Sequence, residues 1–325
     1  MKDEVILVTG SMGCIGAWVL RHLFDQGVNV IATDLGDDPV RPRLLFSDDE
    51  IARINWQRLD VTDTNAVNDT ISKNGVNRII HLAGLQIPFC RANPPLGAAV
   101  NVVGTVNMLE AARQNDVRGL SYASSLAALG PPELYTDLPV PDDAQTAPTN
   151  LYGVYKVANE ETARIYWQDW QIGSVGLRPY NVYGVARDQG MTADIAKAVL
   201  AVAADKPFHI RYGGPIALQH ASDVANIFID TARAEYQGAT VCNLRNDVID
   251  VQTFVSALSD LYPQAKITCE EDNILPFPAD LDDSGLRTIL GEVPHTPLEE
   301  AIQQDYEKFR ELIAEDKIDL TQLEN

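Results

Sequence analysis

The chain is poor in cysteine and in positive charge, and it has no long hydrophobic run. Its four cysteines, Cys14, Cys90, Cys242 and Cys269, are far apart and form no CxxC pair. That spacing predicts neither a zinc site nor a disulfide framework, and four free thiols fit a reducing cytoplasm. Lysine and arginine number 25 against 46 aspartates and glutamates, a net charge of −21, with a pI near 4.5. Without a basic run or a basic amphipathic helix, nucleic acid and anionic membrane surfaces are poor partners, and the acidic excess reads as a solvated face. No stretch approaches the ~20 apolar residues that cross a bilayer. The first apolar run, Val5 to Val8, reads as a short strand rather than a signal peptide. What the chain does have is 325 residues, 46% of them apolar, enough to bury one large core and a smaller one. The expectation is a soluble, intracellular protein with a small-molecule partner.

Short β-branched runs alternate with helical patterns: Val5 to Thr9, then 14 to 27, Val28 to Thr33, Asn77 to Leu82, 97 to 114, Gly119 to Ser124, 151 to 169, and a run at 173 to 178 ending before Pro179. That rhythm predicts an α/β fold, a doubly wound parallel sheet six or seven strands wide. Past Tyr183 the pattern loosens into a helix at about 192 to 204, a strand near Phe208 to Arg211 and a helix from Ser222 to Ala234. The proline-rich final third ends in a helix near Glu299 to Ile313 and suits a small irregular lobe. The expected division is a dinucleotide-binding domain of residues 1–183 and 221–244 and a substrate lobe of 184–220 and 245–325.

The first strand runs into Thr9-Gly10-Ser11-Met12-Gly13-Cys14-Ile15-Gly16. Glycines there permit a tight turn, close approach of backbone to phosphate, and close packing of the following helix. The spacing is GxxGxxG, and alone it also describes an ordinary strand-to-helix turn. Asp34 closes the second strand, 24 residues after Gly10, where a carboxylate can accept from adenosine ribose hydroxyls and repel a 2′-phosphate. NAD is therefore expected over NADP, with Arg41 and Arg43 as the features that speak for NADP. Asp60-Val61 is placed to contact the adenine edge, and Asp60 could equally cap a helix.

Tyr152 and Lys156 stand one helical turn apart in Leu151-Tyr152-Gly153-Val154-Tyr155-Lys156. An ammonium beside a phenol favours the phenolate and lowers its pKa, so Tyr152 is the expected base with Lys156 as its tuner. Tyr155 lacks a lysine four residues on. A hydroxyl is also wanted at the reacting oxygen; Ser124 and Ser125 both stand at the strand end, and a simple cap of that end fits Ser124 better than Ser125. His81 ends a buried strand and reads as a packed structural histidine.

These motifs, in this order, together with His81-Leu82-Ala83-Gly84, Ser124-Ser125 and Arg178-Pro179-Tyr180-Asn181-Val182-Tyr183-Gly184, resemble the extended short-chain dehydrogenase/reductase family, the NAD-dependent epimerases and dehydratases. The resemblance covers essentially the whole chain. It implies Ser125, five residues before Gly130, as the catalytic hydroxyl; Leu82, Ala83 and Gly84 as the wall beside the adenosine half of NAD; Asn181 as a substrate-facing residue; and Asn101 as a brace. It also implies a homodimer through the helices at 97–114 and 153–169, whose outward apolar residues include Val103, Met108 and Ile165. Relatives acting on nucleotide sugars hold the diphosphate with two arginines, and the matching places carry Ile216 and Phe277-Pro278-Ala279-Asp280. A diphosphate would be poorly held without them, leaving Arg91, Arg187, Arg211 and His220 as anchors for a smaller anion. Ser125 is followed by Leu126-Ala127, without the Asp-Glu of dehydratases, which disfavours elimination. The expected function is NAD-dependent hydride transfer at a secondary alcohol of a small sugar, polyol or hydroxy acid. An NAD-dependent epimerase is the alternative, and no metal is expected.

Overall fold

The structure, a computed structural model, describes residues 4–324; the outermost positions of the two expected domains, 1–3 and 325, lie outside the described residues. Seven strands form one parallel sheet: β1 (Val5–Thr9), β2 (Asn29–Asp34), β3 (Asn55–Arg58), β4 (Arg78–His81), β5 (Gly119–Ala123), β6 (Ser174–Arg178) and, after an excursion, β10 (Ala239–Asn243). Their order is β10-β6-β5-β4-β1-β2-β3. The central strands are covered on both faces: in β1, Ile6 and Val8 enter one core and Leu7 the other, whereas the edge strand β3, Asn55-Trp56-Gln57-Arg58, has no buried residue. The winding reverses between β1 and β4, which are direct neighbours, and such a reversal opens a crevice at the carboxyl ends of the strands.

Before and after β10 the chain builds a second layer. β7 (Asn181–Tyr183) pairs in parallel with β9 (Pro215–His220), and β9 pairs antiparallel with β11 (Asp247–Asp250). β8 (Phe208–Ile210) pairs with β12 (Ile267–Cys269). These small sheets, the helix Asp194–Ala203 and the helix Leu298–Ala314 share a third core containing Tyr183, Phe254 and Phe309. All ten residues of Asp194–Ala203 are buried, so this helix is surrounded on every side.

Several boundaries depart from the sequence reading. The helix expected over 97–114 is three pieces: Pro94–Ala98, a π-helical stretch Ala99–Val103, and Gly104–Gln114. Met108, expected to face outward, is fully buried, whereas Val103 and Ile165 are exposed. Asp60 caps no helix; its carboxylate accepts from Thr62 N at 2.9 Å, and Asp63 caps Thr64–Asn74 instead.

Candidate functional site

The glycine loop leaves β1 at the crevice. Gly10 has φ +66°, and a Cβ there would lie 2.7 Å from Ala83 N at the end of β4. A Cβ on Gly16 would meet Gly10 O at 2.3 Å, so Gly16 is what lets the first helix, Cys14–Asp25, start against the loop. Gly13 differs: a Cβ there has one neighbour, Gly10 O at 3.1 Å, and otherwise points into open space. Gly13 is the N-cap of this helix and makes no side-chain cap bond, and the first turn carries no acidic residue. Its leading amides are thus left for an anion.

Around this loop lies a groove of about 400 Å³, lined by Met12, Gly13, Cys14, Ile15 and Gly16, by Asp34, Asp60 and Val61, and by Leu82, Ala83 and Gly84. Asp34 accepts from Met12 N at 3.0 Å through Oδ2 and from Leu35 N at 2.8 Å through Oδ1. It braces the glycine loop and retains acceptor capacity on Oδ2. Arg41 is engaged by Asp188 at 2.8 Å, and Arg43 is bound to Asp38. Both of the arginines that spoke for a 2′-phosphate are therefore spoken for.

A second cavity, about 220 Å³, opens beside the groove and shares Ile15, Leu82, Gly84, Gln86, Ala123 and Arg187 with it. Ser125, Tyr152 and Lys156 meet there. Tyr152 and Lys156 lie on the helix Leu151–Trp170, which starts at Asn150, whose side chain accepts from Gly153 N at 3.0 Å. Gly153 packs on the Ser125 segment so closely that a Cβ would sit 2.0 Å from Ala127 O. Ser125 Oγ accepts from Ala127 N at 3.1 Å, and its hydroxyl is close enough to Tyr152 to favour the phenolate. The Lys156 ammonium, 5.3 Å from the centre of the Tyr152 ring, donates to Ala123 O at 2.7 Å.

One expectation about this pair is corrected. Burial raises the Tyr152 phenol above its ordinary value, and the neighbouring Ser125 hydroxyl offsets that only in part. Burial also lowers Lys156 to about 8. The ammonium spends its short hydrogen bond on a backbone carbonyl, so it does not tune the phenol toward neutrality.

Behind the serines, Ser124 Oγ is bound to Glu160, and Glu160 takes two bonds from Arg178, at 2.9 and 2.7 Å. Ser124 is thereby a structural neighbour of Ser125. His81 is buried between Thr9 Oγ1 (2.7 Å) and Thr105 Oγ1 (3.2 Å), and burial lowers its pKa to about 3, which makes it a neutral packed histidine. Asn101 bonds Leu85 O at 3.1 Å and Gly97 O at 2.9 Å, bracing the loop behind Gly84 within the π-helical stretch.

Of the four anion anchors expected, only Arg187 reaches the cavity. Arg91 is exposed elsewhere, Arg211 is bound to Asp194 and His220 to Asp305. Asn181 is fully buried and bonds Tyr212 at 3.4 Å; it is not among the lining residues, because Tyr180 and Val182 take that wall. Gln86, Thr192 and Phe277 also line the cavity. They come from distant segments, and no sequence spacing links them.

A family model described as the NAD dependent epimerase/dehydratase family matches residues 6–242. The chain belongs to that family. Its members are NAD-dependent enzymes of the extended short-chain dehydrogenase/reductase type. The UDP-glucose 4-epimerase of Mycolicibacterium smegmatis is 32% identical over 62% of this chain and 65% of its own length. For a relative from Methanocaldococcus jannaschii the matched share is 58% of its length, so the chain spans under two thirds of both. Among solved structures, L-threonine dehydrogenase from Clostridium difficile superposes with a TM-score of 0.83 at 22% identity, covering 95% of this chain and 98% of that one. The Thermotoga maritima UDP-glucose 4-epimerase with UDP-glucose gives 0.80 at 20% identity, over 95% and 99%. At those identities the likeness is one of fold. Among the described residues, no helix is long and apolar enough to cross a membrane.

Proposed function

We propose that the chain is an NAD-dependent oxidoreductase transferring hydride at a secondary alcohol of a small sugar, polyol or hydroxy acid. The observation that carries this reading is the meeting of Ser125, Tyr152 and Lys156 in a cavity that opens into the glycine-loop groove. Bound NAD supplies the hydride acceptor. The loop amides from Gly13 onward receive the pyrophosphate, Asp34 the adenosine ribose, and Asp60, Val61, Leu82, Ala83 and Gly84 wall the adenosine half. Tyr152 takes the proton of the alcohol; Ser125 holds the reacting oxygen and stabilises the charge that develops on it. Lys156, anchored on Ala123 O with its ammonium 5.3 Å from the Tyr152 ring centre, would hold the nicotinamide ribose of bound NAD.

The substrate is smaller than a nucleotide sugar. A cavity of about 220 Å³ falls below the ~300 Å³ lower range of drug-sized sites. Ile216 is fully buried and Asp280 is bound to Arg245 at 2.8 Å, so neither diphosphate-clamping place offers a cation. Arg187 is left to meet a single carboxylate or similar anion.

The name of the M. smegmatis relative favours a second reading, an epimerase that takes a hydride and returns it to the opposite face. Dialysis of purified protein separates the two. Exchangeable NAD, with NADH accumulating on a panel of sugars, uronates and aldonates, is the expected result; NAD that stays through dialysis with no NADH formed overturns the dehydrogenase reading. We also read the exposed Val103, Val154 and Ile165 as part of a homodimer face, to be checked by sedentation of the natural chain against Val154→Asp in an analytical ultracentrifuge.

A further inference from the structure

A third cavity, about 560 Å³, lies beside the cofactor groove, walled by the loop 186–190, the helix Asp194–Ala203 and the segment 317–322. In a chain of net charge −21, it is lined by Arg41, Arg187, Lys197, Arg211 and Lys317 against Asp188 and Asp319. Three of these cations are already neutralised. Arg41 is held by Asp188 at 2.8 Å, Arg211 by Asp194 through two bonds of 2.9 and 2.7 Å, and Lys317 by Glu315 at 2.7 Å. Asp319 is turned to Thr321, accepting from its N at 2.8 Å and its Oγ1 at 2.7 Å.

Two cations are not neutralised. Arg187 has one long bond, to Thr192 Oγ1 at 3.3 Å, and its Nε is buried with no partner. Lys197 is only 8% exposed and, among the described residues, its ammonium has neither a hydrogen bond nor an ion pair. The rest of its helix is apolar apart from Asp194, which is paired. A lysine held this tightly gives up side-chain freedom without gaining an ion pair in the protein, and a leucine there would have completed an apolar helix. Lys197 lines neither the glycine-loop groove nor the cavity of Ser125, so neither NAD nor the substrate is its counter-ion.

We propose that this cavity binds a small tetrahedral oxyanion, a phosphate group, between Lys197 and Arg187. A phosphate offers several acceptor oxygens to an ammonium and a guanidinium at once. The cavity is large enough for the group to arrive free or as the head of a phosphorylated metabolite. Arg187 also lines the groove and the catalytic cavity, so its capture would be felt at both.

The test is thermal unfolding of the full chain titrated with inorganic phosphate, glycerol 3-phosphate or glycerol, at ionic strength held constant with chloride and with NAD saturating the glycine loop. The series is repeated without NAD, so that failure of cofactor binding is seen separately. The expected result is a rise in Tm with either phosphate compound that sets in on the order of 1 mM and keeps growing with the logarithm of concentration, and none with glycerol. A response confined to glycerol 3-phosphate identifies a phosphorylated metabolite as the ligand; equal responses identify the free ion. Lys197→Met should abolish the rise and Lys197→Arg retain it. No rise beyond chloride, or a rise that survives Lys197→Met undiminished, overturns the proposal. If Lys197→Met fails to fold, crystals of the natural protein soaked in selenate decide: an anomalous peak at Lys197 supports the site, and its absence there overturns it.

Discussion

Tyr152 sits where burial keeps its phenol protonated, with a serine hydroxyl as the main relief. The phenolate is then a minority form at neutral pH and grows as pH rises. Oxidation should follow: kcat/KM is expected to climb at least about fivefold from pH 7 to 9, since this parameter reports ionisations of the free enzyme. A flat steady-state profile across that range would contradict the assignment of Tyr152 as base. Tyr152→Phe should lower kcat by about 10²- to 10⁴-fold while NAD binding, measured by fluorescence titration, stays near the natural value. Loss of both together would point to a structural role.

Among elements, the glycine loop separates cofactor binding from folding. Gly16→Ala drives a methyl into Gly10 O at 2.3 Å, with backbone on both sides of the clash, and should cost more than about 2 kcal/mol of stability in urea unfolding. Gly13→Ala meets only a 3.1 Å contact. It should leave the unfolding midpoint nearly unchanged and weaken NAD at least tenfold, because its methyl enters the space that faces the loop amides. Equal destabilisation by the two changes would remove this division of labour.

The same elements show what the sequence made legible. β1 could be read because a strand covered on both faces is an almost unbroken apolar run, and β5 and β6 because their short, fully or nearly buried runs alternate with helical patterns. The helix Thr64–Asn74 could not, since it buries only Val67 and Ile71 and its period is faint. The break at Ala99–Val103 escaped notice for a different reason: a π-helical stretch keeps helical residue types while shifting the register of every later side chain, which is why Met108 turned inward. At the site, Ser125, Tyr152 and Lys156 were legible through local spacing, and the cavity walls were not. The missed tuning of Tyr152 came from Ala123 O, a backbone atom that no side-chain pattern encodes.

At the scale of the whole molecule, the first helix and the helix Leu298–Ala314 are joined through one buried cluster. Trp18 donates to Val185 O at 2.9 Å, and Asp305 accepts from Val185 N at 3.1 Å and faces His220 Nε2 at 3.3 Å. Burial pulls His220 down, but the Asp305 carboxylate outweighs it and holds the imidazole above its ordinary value. A raised folded pKa means this contribution is complete below the unfolded value of ~6.5 and fades as pH rises through the folded one. Asp305→Ala should therefore cost about 3 kcal/mol at pH 6 and less at pH 8, as read from urea midpoints at the two pH values. An equal cost at both would show that the pair is not ionised.

Strand β10 is the last to join the main sheet, parallel to β6 with Ala239 opposite Ser174. Three strands and two helices are made in between. A nascent chain that has just released β6 therefore carries an open, apolar sheet border while the ribosome is still at work. Bare borders of that kind recruit other chains. Yield of the folded protein in cells should thus depend on how quickly translation passes through the segment leading to Ala239, and on chaperones that shield the border meanwhile.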